Sequence, residues 1–202
     1  MNKIKIKKEI IEWIICFVIA YVIYIVVNFF VGTISGVKQT SMKPTANEGD
    51  RLVISRNIIA KQKLKHGDII TFSAPDETQK ITDGNDNIAD YKNRNFFTYN
   101  FLGINKKSYI KRVIGLPKDR IKLYEGDVYK NGIKINEPYL NGIKTISTGP
   151  YIDVVVPDNT VFVMGDNRSE SMDSRIFGCI PFDKIEGNVL FRIFPFNKMG
   201  KL

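Results

Sequence analysis

The segment "TSMKPT" places a serine, Ser41, in a short polar stretch next to a methionine and three residues before a proline. A serine hydroxyl becomes a nucleophile only when a neighbouring base removes its proton, so the titratable residues decide whether Ser41 can do chemistry. The one histidine, His66, lies in "KHGD", where the following Gly and Asp are typical of a tight turn. This context argues against a Ser-His-Asp triad and leaves lysine as the remaining plausible base.

A lysine acts as a base only when its pKa falls far below the usual value of about 10.4. In "SYIKRVIGLP" the two-residue period of a strand places Tyr109, Lys111 and Val113 on one face. Bulky, mostly apolar neighbours would desolvate the Lys111 amine, and burial lowers the pKa of lysine by up to several units. Two interpretations stay open on this pattern alone: a buried general base, or a strand lysine whose amine reaches solvent.

The remaining composition argues against several classes of site. Cys16 lies in the apolar N-terminal block and Cys179 far downstream, so we expect two free thiols and no disulfide. Neither cysteine has a Cys or His partner at metal-ligand spacing, and we expect neither a metal nor a cofactor. The chain has a net charge of +9, but its Lys and Arg residues are spread along the whole sequence. That spread argues against nucleic acid as a partner.

An uncharged apolar stretch from Trp13 to Val31 precedes these residues. About 20 such residues in a helix span the hydrocarbon core of a bilayer, so we predict a transmembrane anchor at 12–32. A cleaved leader is the alternative, but its apolar centre would be only about 7–15 residues long and no Ala-x-Ala site follows. Lysines in the segment 1–11 favour a cytoplasmic N-terminus, so that 33–202 lie outside the cytoplasm on a single-pass protein of the plasma membrane.

After residue 32 the sequence alternates short β-branched or aromatic runs with turn residues, which predicts a mostly β domain. In "DVYKNGIKI" the pair Asn131-Gly132 separates two alternating runs and predicts a two-residue hairpin turn. The polar segment 76–107 is interpreted as a surface insertion. It is either a mobile loop or a carrier of aromatic rings that touch substrate or lipid, namely Phe96, Phe97, Tyr99 and Phe101.

Three segments, "TSMKPT", "YIKRVIGLP" and "MGDNRSESMDSRIFG", occur in this order and resemble the signature boxes of type I signal peptidases. With the apolar stretch and weaker similarity in "EGDRLVI" and "HGDIITF", the resemblance covers most of the chain. It implies a signal-peptidase-type antiparallel β-sheet catalytic domain, with a small inserted β-ribbon cap at about 119–159, preceded by one N-terminal transmembrane helix. It also implies a serine endopeptidase that removes signal peptides from exported preproteins, so that signal peptides and the lipid bilayer are its partners.

The resemblance also implies roles for individual residues. Ser41 corresponds to the nucleophile and Lys111 to the general base, which acts as a neutral amine. Ser171 corresponds to the serine whose hydroxyl helps to orient that amine. Met42 can then pack as an apolar wall beside the lysine, and Pro44 stiffens the turn that presents the Ser41 hydroxyl.

Other positions support or depart from the family pattern. Asp173 and Arg175 resemble its structural ion pair, and "GDNR" at 165–168 resembles a turn that returns this segment to the site. The backbone N–H of the nucleophile is one oxyanion donor, and Gln39 stands where family members often have a hydroxyl residue as the second. The Gln39 amide could donate only if its rotamer turns inward. Lys118 stands where the family usually has glycine.

The family prefers small residues at the first and third positions before the cut. We attribute this preference to an extended substrate that adds to a sheet edge near "DIITF" and "YIKRV" and fills two shallow pockets. We also expect Ile34 and Val37 to rest against lipid. Two alternatives stay open: a catalytically inactive membrane-anchored β module that binds a secreted or membrane partner, and a cytoplasmic Ser-Lys self-cleaving regulator.

Overall fold

The computed structural model of the chain describes residues 3–30, 32–55, 64–75, 87–91, 107–146 and 149–202. A long N-terminal helix is followed almost entirely by strands, so the prediction of a mostly β domain after residue 32 is confirmed. The elements, in chain order, are α1 (Lys3–Phe30), β1 (Thr33–Gly36), β2 (Arg51–Ser55), β3 (Ile69–Ser73), β4 (Ser108–Gly115), β5 (Arg120–Tyr124), β6 (Asp127–Lys130), β7 (Ile133–Lys134), β8 (Asp153–Val155), β9 (Thr160–Met164), α2 (Ser174–Phe177), β10 (Ile180–Pro181) and β11 (Ile185–Phe194).

The main sheet contains seven of the described strands in the order β1-β2-β11-β3-β4-β9-β10, and all neighbouring pairs are antiparallel. Alternation of apolar and polar residues explains the strands that lie near its edges. In β2, for example, Leu52 and Ile54 are buried while Arg51 faces solvent. The last strand of the chain, β11, pairs with both β2 and β3 and so joins the N-terminal strands to the rest of the sheet.

A second, four-stranded antiparallel sheet has the order β7-β6-β5-β8. Its β6-β7 hairpin turns at Asn131 and Gly132, whose φ angles of 52° and 82° are those of a two-residue turn that matches the twist of the strands. The predicted hairpin is therefore confirmed. The domain limits predicted around this sheet, 119–159, remain a prediction.

Three apolar clusters hold the strands together. The first packs against β3, β4 and β9, and the second joins the two sheets through residues such as Phe162 and Ile121. The third lies beneath the segment that carries Ser41 and includes Val37, Met42 and Ile110. Val37 is only 7% exposed, so the expectation that it rests against lipid is wrong, whereas Ile34 is 61% exposed.

The N-terminal helix α1 carries apolar side chains that no other described part of the chain covers, for example Trp13, Phe17 and Tyr21. Among the described residues, no helix combines the length and the apolar character that crossing a membrane requires. The anchor at 12–32 and the single-pass topology therefore remain predictions. The four aromatic residues of the predicted insertion, at positions 96, 97, 99 and 101, lie outside the described residues.

Candidate active site

Ser41 and Lys111 lie together although 70 residues separate them in the sequence, and the Lys111 Nζ donates a hydrogen bond of 2.5 Å to the Ser41 Oγ. Both residues are buried, with 6% of Ser41 and 1% of Lys111 exposed. Lys111 lies in β4 opposite Ile70 of β3, and cross-strand partners share a face of the sheet. Tyr109 and Val113 pack with Ile70 in the first cluster, so Lys111 occupies the apolar face that the strand period predicts.

The Ser41 hydroxyl is fixed because its segment is held from two sides. On one side, Met42 is fully buried in the third cluster and anchors the segment to the sheet. On the other side, the Asn167 backbone N–H donates to the Ser41 carbonyl oxygen at 3.0 Å, and the Asn167 side chain donates to the Thr40 carbonyl oxygen at 3.3 Å. The predicted turn at 165–168 thus contacts the Ser41 segment directly.

Burial of the amine lowers the pKa of Lys111 to about 8. The charges around the amine have smaller and partly opposing effects, since the Asp173 and Asp166 carboxylates raise the pKa of Lys111 and the Arg175 guanidinium lowers it. The Tyr109 ring centroid lies 5.5 Å from the Lys111 Nζ. An amine with this pKa is uncharged in a substantial fraction of molecules at mildly alkaline pH, and an uncharged amine can accept a proton.

Asp173 and Arg175 form a two-point ion pair, with 2.8 Å between Nε and Oδ1 and 2.8 Å between Nη2 and Oδ2. Both side chains are fully buried. The Asp173 carboxylate also accepts from the Gly165 N–H at 3.0 Å, so the pair holds the turn that contacts Ser41. The planar guanidinium suits this geometry because it presents parallel N–H donors to both carboxylate oxygens.

A second buried ion pair was missed by the sequence reasoning, which gave Asp166 only a place in a turn. The Arg112 Nε and Nη2 donate to the two oxygens of Asp166 at 2.9 and 2.6 Å, and the Thr45 hydroxyl donates to Asp166 at 2.5 Å. The Arg112 guanidinium also lies 4.0 Å from the centroid of the Tyr139 ring. No local spacing could reveal a pair whose members are 54 residues apart.

A third pair links the main sheet to the segment after the β6-β7 hairpin. Arg168, only 1% exposed, donates to both carboxylate oxygens of Glu137 and to the Thr145 hydroxyl. The Tyr139 hydroxyl donates to the same carboxylate at 2.7 Å, and burial raises the pKa of Tyr139 well above its usual value, with a further contribution from the Glu137 charge. Sequence reasoning also missed Glu137.

The predicted hydrogen bond from Ser171 to the Lys111 amine is not formed. Ser171 is buried, but its hydroxyl has no hydrogen-bond partner. A Cβ placed on Gly165 would lie 2.2 Å from the Ser171 Oγ and 2.4 Å from the Ser41 carbonyl oxygen. Ser171 and the Ser41 backbone therefore both lie close to Gly165, and only glycine fits at this position.

Two further candidates lie in different surroundings. Gln39 is exposed two residues before Ser41, and its side chain lines a surface groove. His66 Nε2 lies 2.7 Å from Asp119 Oδ2, within hydrogen-bond distance, so its imidazole is engaged by a carboxylate of the β4-β5 turn.

The groove that Gln39 lines has a volume of about 400 Å³. One wall is the segment that leads to Ser41, and the other is the start of β4, which leads to Lys111. In the described ladders β4 pairs with β9 only from Arg112 onward, whereas Ser108 to Lys111 pair with β3 alone. The lining residues are Ser35, Gly36, Val37, Lys38, Gln39, Leu52, Ile54, Thr71, Lys107, Ser108, Tyr109 and Ile110.

Comparison with known proteins identifies the family. A family model described as signal peptidase, peptidase S26, matches residues 10–194. Signal peptidase IB of Staphylococcus aureus (strain COL) is 34% identical over 209 residues, which cover 95% of this chain and 93% of that protein. Signal peptidase I of Bacillus licheniformis is also 34% identical, over 205 residues that cover 96% of this chain and 94% of that protein.

A solved structure gives a weaker match. The crystal structure of a signal peptidase I from Enterococcus faecalis V583 is 26% identical, covers 62% of this chain and 95% of that chain, and superposes with a TM-score of 0.40. The family model and the two sequence relatives each extend over nine-tenths of the chain or more. The chain therefore belongs to the signal peptidase family, peptidase S26, and is a serine endopeptidase.

Proposed function

We propose that this chain removes N-terminal signal peptides from exported preproteins, with Ser41 as the nucleophile and Lys111 as the general base. The observation that carries the proposal is the 2.5 Å hydrogen bond between the Lys111 Nζ and the Ser41 Oγ in a buried site. The pKa of about 8 for Lys111 supports it, because the base must be neutral to work. The similarity to proteins named signal peptidases supports the substrate class.

In the proposed reaction the neutral Lys111 amine takes the hydroxyl proton while the Ser41 Oγ bonds to the carbonyl carbon of the scissile peptide. The carbonyl electron pair moves to oxygen, and the Ser41 backbone N–H donates to that oxyanion. The Lys111 ammonium then gives its proton to the leaving nitrogen as the C–N bond breaks. Water attacks the resulting ester with the same amine as base, which releases the second product and restores the Ser41 hydroxyl.

The remaining residues act through the nucleophile and the base. Asp173 and Arg175 hold the 165–168 turn against the Ser41 segment, and Met42 anchors the segment from below. We assign the buried Ser171 hydroxyl to orienting the neutral Lys111 amine, since a buried hydroxyl without a partner is costly. This role requires the hydroxyl to reorient. We assign Gln39 as the second oxyanion donor, which likewise requires its exposed side chain to turn inward.

The groove beside Ser41 is the proposed substrate site. An extended peptide can add along Ser108 to Ile110, whose outer edge carries no strand among the described pairings. The buried side chains of Val37, Leu52 and Ile110 form an apolar floor on which small side chains fit and bulky ones clash. The shape of the floor then accounts for a preference for small residues at the first and third positions before the cut.

We further propose that α1 anchors the enzyme in the plasma membrane, with the N-terminus in the cytoplasm and 33–202 outside. The exposed apolar side chains along α1, for example Trp13, Phe17 and Tyr21, support this proposal, because no other described part of the chain covers them and lipid could. The Ile15→Lys/Ile19→Lys variant should leave the membrane fraction after an alkaline wash while the unaltered chain stays in it. Retention of the variant equal to that of the unaltered chain would contradict the anchor.

The Ser-Lys pair is tested by cleavage of a model preprotein in non-ionic detergent. Ser41→Ala and Lys111→Met should each lower kcat/KM by about a thousandfold or more, because each removes one half of a unit that acts together. For the unaltered enzyme kcat/KM should rise with pH through about 8, where the Lys111 amine loses its proton. Lys122 is an exposed lysine on β5, so the control variant Lys122→Met should retain full activity.

The Lys111→Arg variant tests whether residue 111 acts by transferring a proton or only by carrying a positive charge. The arginine guanidinium keeps its proton at every accessible pH, so this variant should be inactive across the whole pH range. A fully active Lys111→Arg enzyme would overturn the proposed role of Lys111. An unaltered chain that binds the preprotein but never cleaves it would instead favour the alternative of an inactive membrane-anchored module.

A further inference from the structure

Two polar side chains connect the segment after the β6-β7 hairpin to the main sheet, namely Glu137 and Tyr139. The Glu137 side chain is only 9% exposed, and Tyr139 is half-buried. We propose that Glu137 and Tyr139 are positioning residues for the peptidase reaction and hold both halves of the Ser-Lys pair in place. The inference rests on the proposed function, since it takes Ser41 and Lys111 as the reacting pair.

One series of contacts leads from Glu137 to the backbone of Ser41. The Arg168 Nη1 donates to Glu137 Oε2 at 3.1 Å, and the Arg168 Nη2 donates to the other carboxylate oxygen. The same guanidinium donates through Nε to the Gly165 carbonyl oxygen at 3.1 Å, so it holds the turn between Gly165 and Arg168. The Asn167 N–H of that turn donates to the Ser41 carbonyl oxygen at 3.0 Å. The Glu137 carboxylate is therefore linked to the nucleophile through Arg168 and this turn.

A second series of contacts leads from Tyr139 to the strand that carries Lys111. The Tyr139 hydroxyl donates to the Glu137 carboxylate at 2.7 Å, and the centroid of its ring lies 4.0 Å from the guanidinium carbon of Arg112. Arg112 follows Lys111 in β4 and donates to both carboxylate oxygens of Asp166, at 2.9 and 2.6 Å. Because Asp166 belongs to the turn that holds the nucleophile, the two series of contacts meet there.

A change at Glu137 should reach the nucleophile because the intervening contacts leave little room for adjustment. Arg168 is only 1% exposed, so its cation would move if the carboxylate lost its charge. A Cβ on Gly165 would lie 2.4 Å from the Ser41 carbonyl oxygen, so the turn and the nucleophile segment are already in close contact. A displacement of the turn is therefore passed to Ser41, and a misplacement of about 1 Å can lower the rate about a hundredfold.

Cleavage of a model preprotein in non-ionic detergent provides the test. Glu137→Gln keeps the size of the side chain and removes its charge, and it should lower kcat by about tenfold to a hundredfold. KM should stay unchanged, because the described lining of the substrate groove includes neither Glu137 nor Tyr139. Glu137→Asp keeps the charge and should recover most of the lost kcat. Tyr139→Phe removes only the hydroxyl and keeps the ring beside Arg112, so it should lower kcat less, by about threefold to tenfold.

Leu123→Ala is the matched control, since it removes a buried apolar side chain of the second sheet that belongs to neither series of contacts. It should lower the free energy of unfolding and keep the full kcat at temperatures where circular dichroism shows a folded chain. A kcat loss in Leu123→Ala equal to that in Glu137→Gln would reduce the role of Glu137 to stability and overturn the inference.

The remaining outcomes separate the inference from the proposed function. Full kcat in Glu137→Gln, or a rise in KM alone, would overturn the inference and leave the proposed function standing, provided that Ser41→Ala is inactive. An active Ser41→Ala enzyme would overturn both. If Glu137→Gln does not fold, Tyr139→Phe decides, because it removes a single hydroxyl, and an unaltered kcat in that variant would overturn the inference.

Discussion

The ion pairs near Ser41 and those on the second sheet use the same residue types in opposite surroundings. Asp173 and Arg175 have no exposed side-chain surface, and their charges meet at 2.8 Å. Arg120 and Asp153 on the second sheet meet at the same 2.8 Å, but their side chains are 62% and 34% exposed. The loss of one partner therefore changes the free energy of unfolding by different amounts in the two pairs despite their equal distances, because water can replace a lost partner only at the surface.

Breaking one pair of each kind gives the largest expected difference. Asp173→Asn should lower the free energy of unfolding by about 3–5 kcal/mol, since the Arg175 cation would remain buried without a counter-charge. Asp153→Asn removes the same charge from a pair that solvent screens, and it should change the free energy by less than about 1 kcal/mol. Denaturant unfolding of both variants measures the contrast. Equal losses would show that burial does not separate the two pairs.

The distance in sequence between interacting residues explains which features of the fold and the site could be predicted from the sequence. Local patterns predicted the turn at Asn131-Gly132 and the strand face that carries Lys111, because strand periods and turn residues act over a few positions, but they left open whether the Lys111 amine is buried. The Arg112–Asp166 pair joins residues 54 positions apart, and the Arg168–Glu137 pair joins residues 31 apart. Pairs of this kind depend on how strands are ordered, which no local pattern contains.

The order of the strands in the main sheet could not be predicted from the sequence for the same reason. The short β1, "TISG", has no alternating run long enough to predict it, and it forms because β2 offers it a partner. Nothing local indicates that β11 inserts between β2 and β3. The resemblance to a family supplied Ser41, Lys111, Asp173 and Arg175 as one set, but it could not foresee that the Ser171 hydroxyl would have no partner.

Lys111 differs from the buried arginines because its amine bonds to a hydroxyl and to no carboxylate in the described contacts. Burial lowers the pKa of Lys111 from 10.5 to about 8. Such a difference corresponds to about 3 kcal/mol of lost stability at pH 7. Between pH 8 and 10.5 the unfolded chain binds more protons than the folded chain, so stability rises with pH across that interval.

Lys111→Met should therefore raise the free energy of unfolding at pH 7, by up to about 3 kcal/mol, while abolishing catalysis. The advantage of the variant over the unaltered chain should shrink as the pH rises from 8 to 10.5. Unfolding curves at several pH values measure it, with the surface variant Lys122→Met as the control that shows no such trend. A gain that is the same at every pH would contradict the link to the Lys111 amine.

The junction between the two regions contains a residue in an unfavourable backbone conformation. Lys118 lies in the turn between β4 and β5 with a φ of 74°, in the left-handed region that favours glycine. The conformation is fixed because the Lys118 N–H donates to the Val156 carbonyl oxygen at 2.8 Å, and the Asp119 N–H donates to the Leu116 carbonyl oxygen at 3.0 Å. This positive φ is the physical reason for expecting glycine at position 118.

Lys118→Gly gives the smallest expected effect, a gain of about 0.5–1 kcal/mol in the free energy of unfolding. Removing the strain of the positive φ stabilises the folded chain by more than the added backbone entropy of glycine stabilises the unfolded chain. The net gain in the free energy of unfolding is therefore smaller than the strain itself. Lys118→Ala is the control, because it removes the same side chain and keeps a Cβ, so it should leave stability unchanged. An equal gain in both variants would place the cost in the lysine side chain, whereas a gain in glycine alone places it in the backbone of the junction.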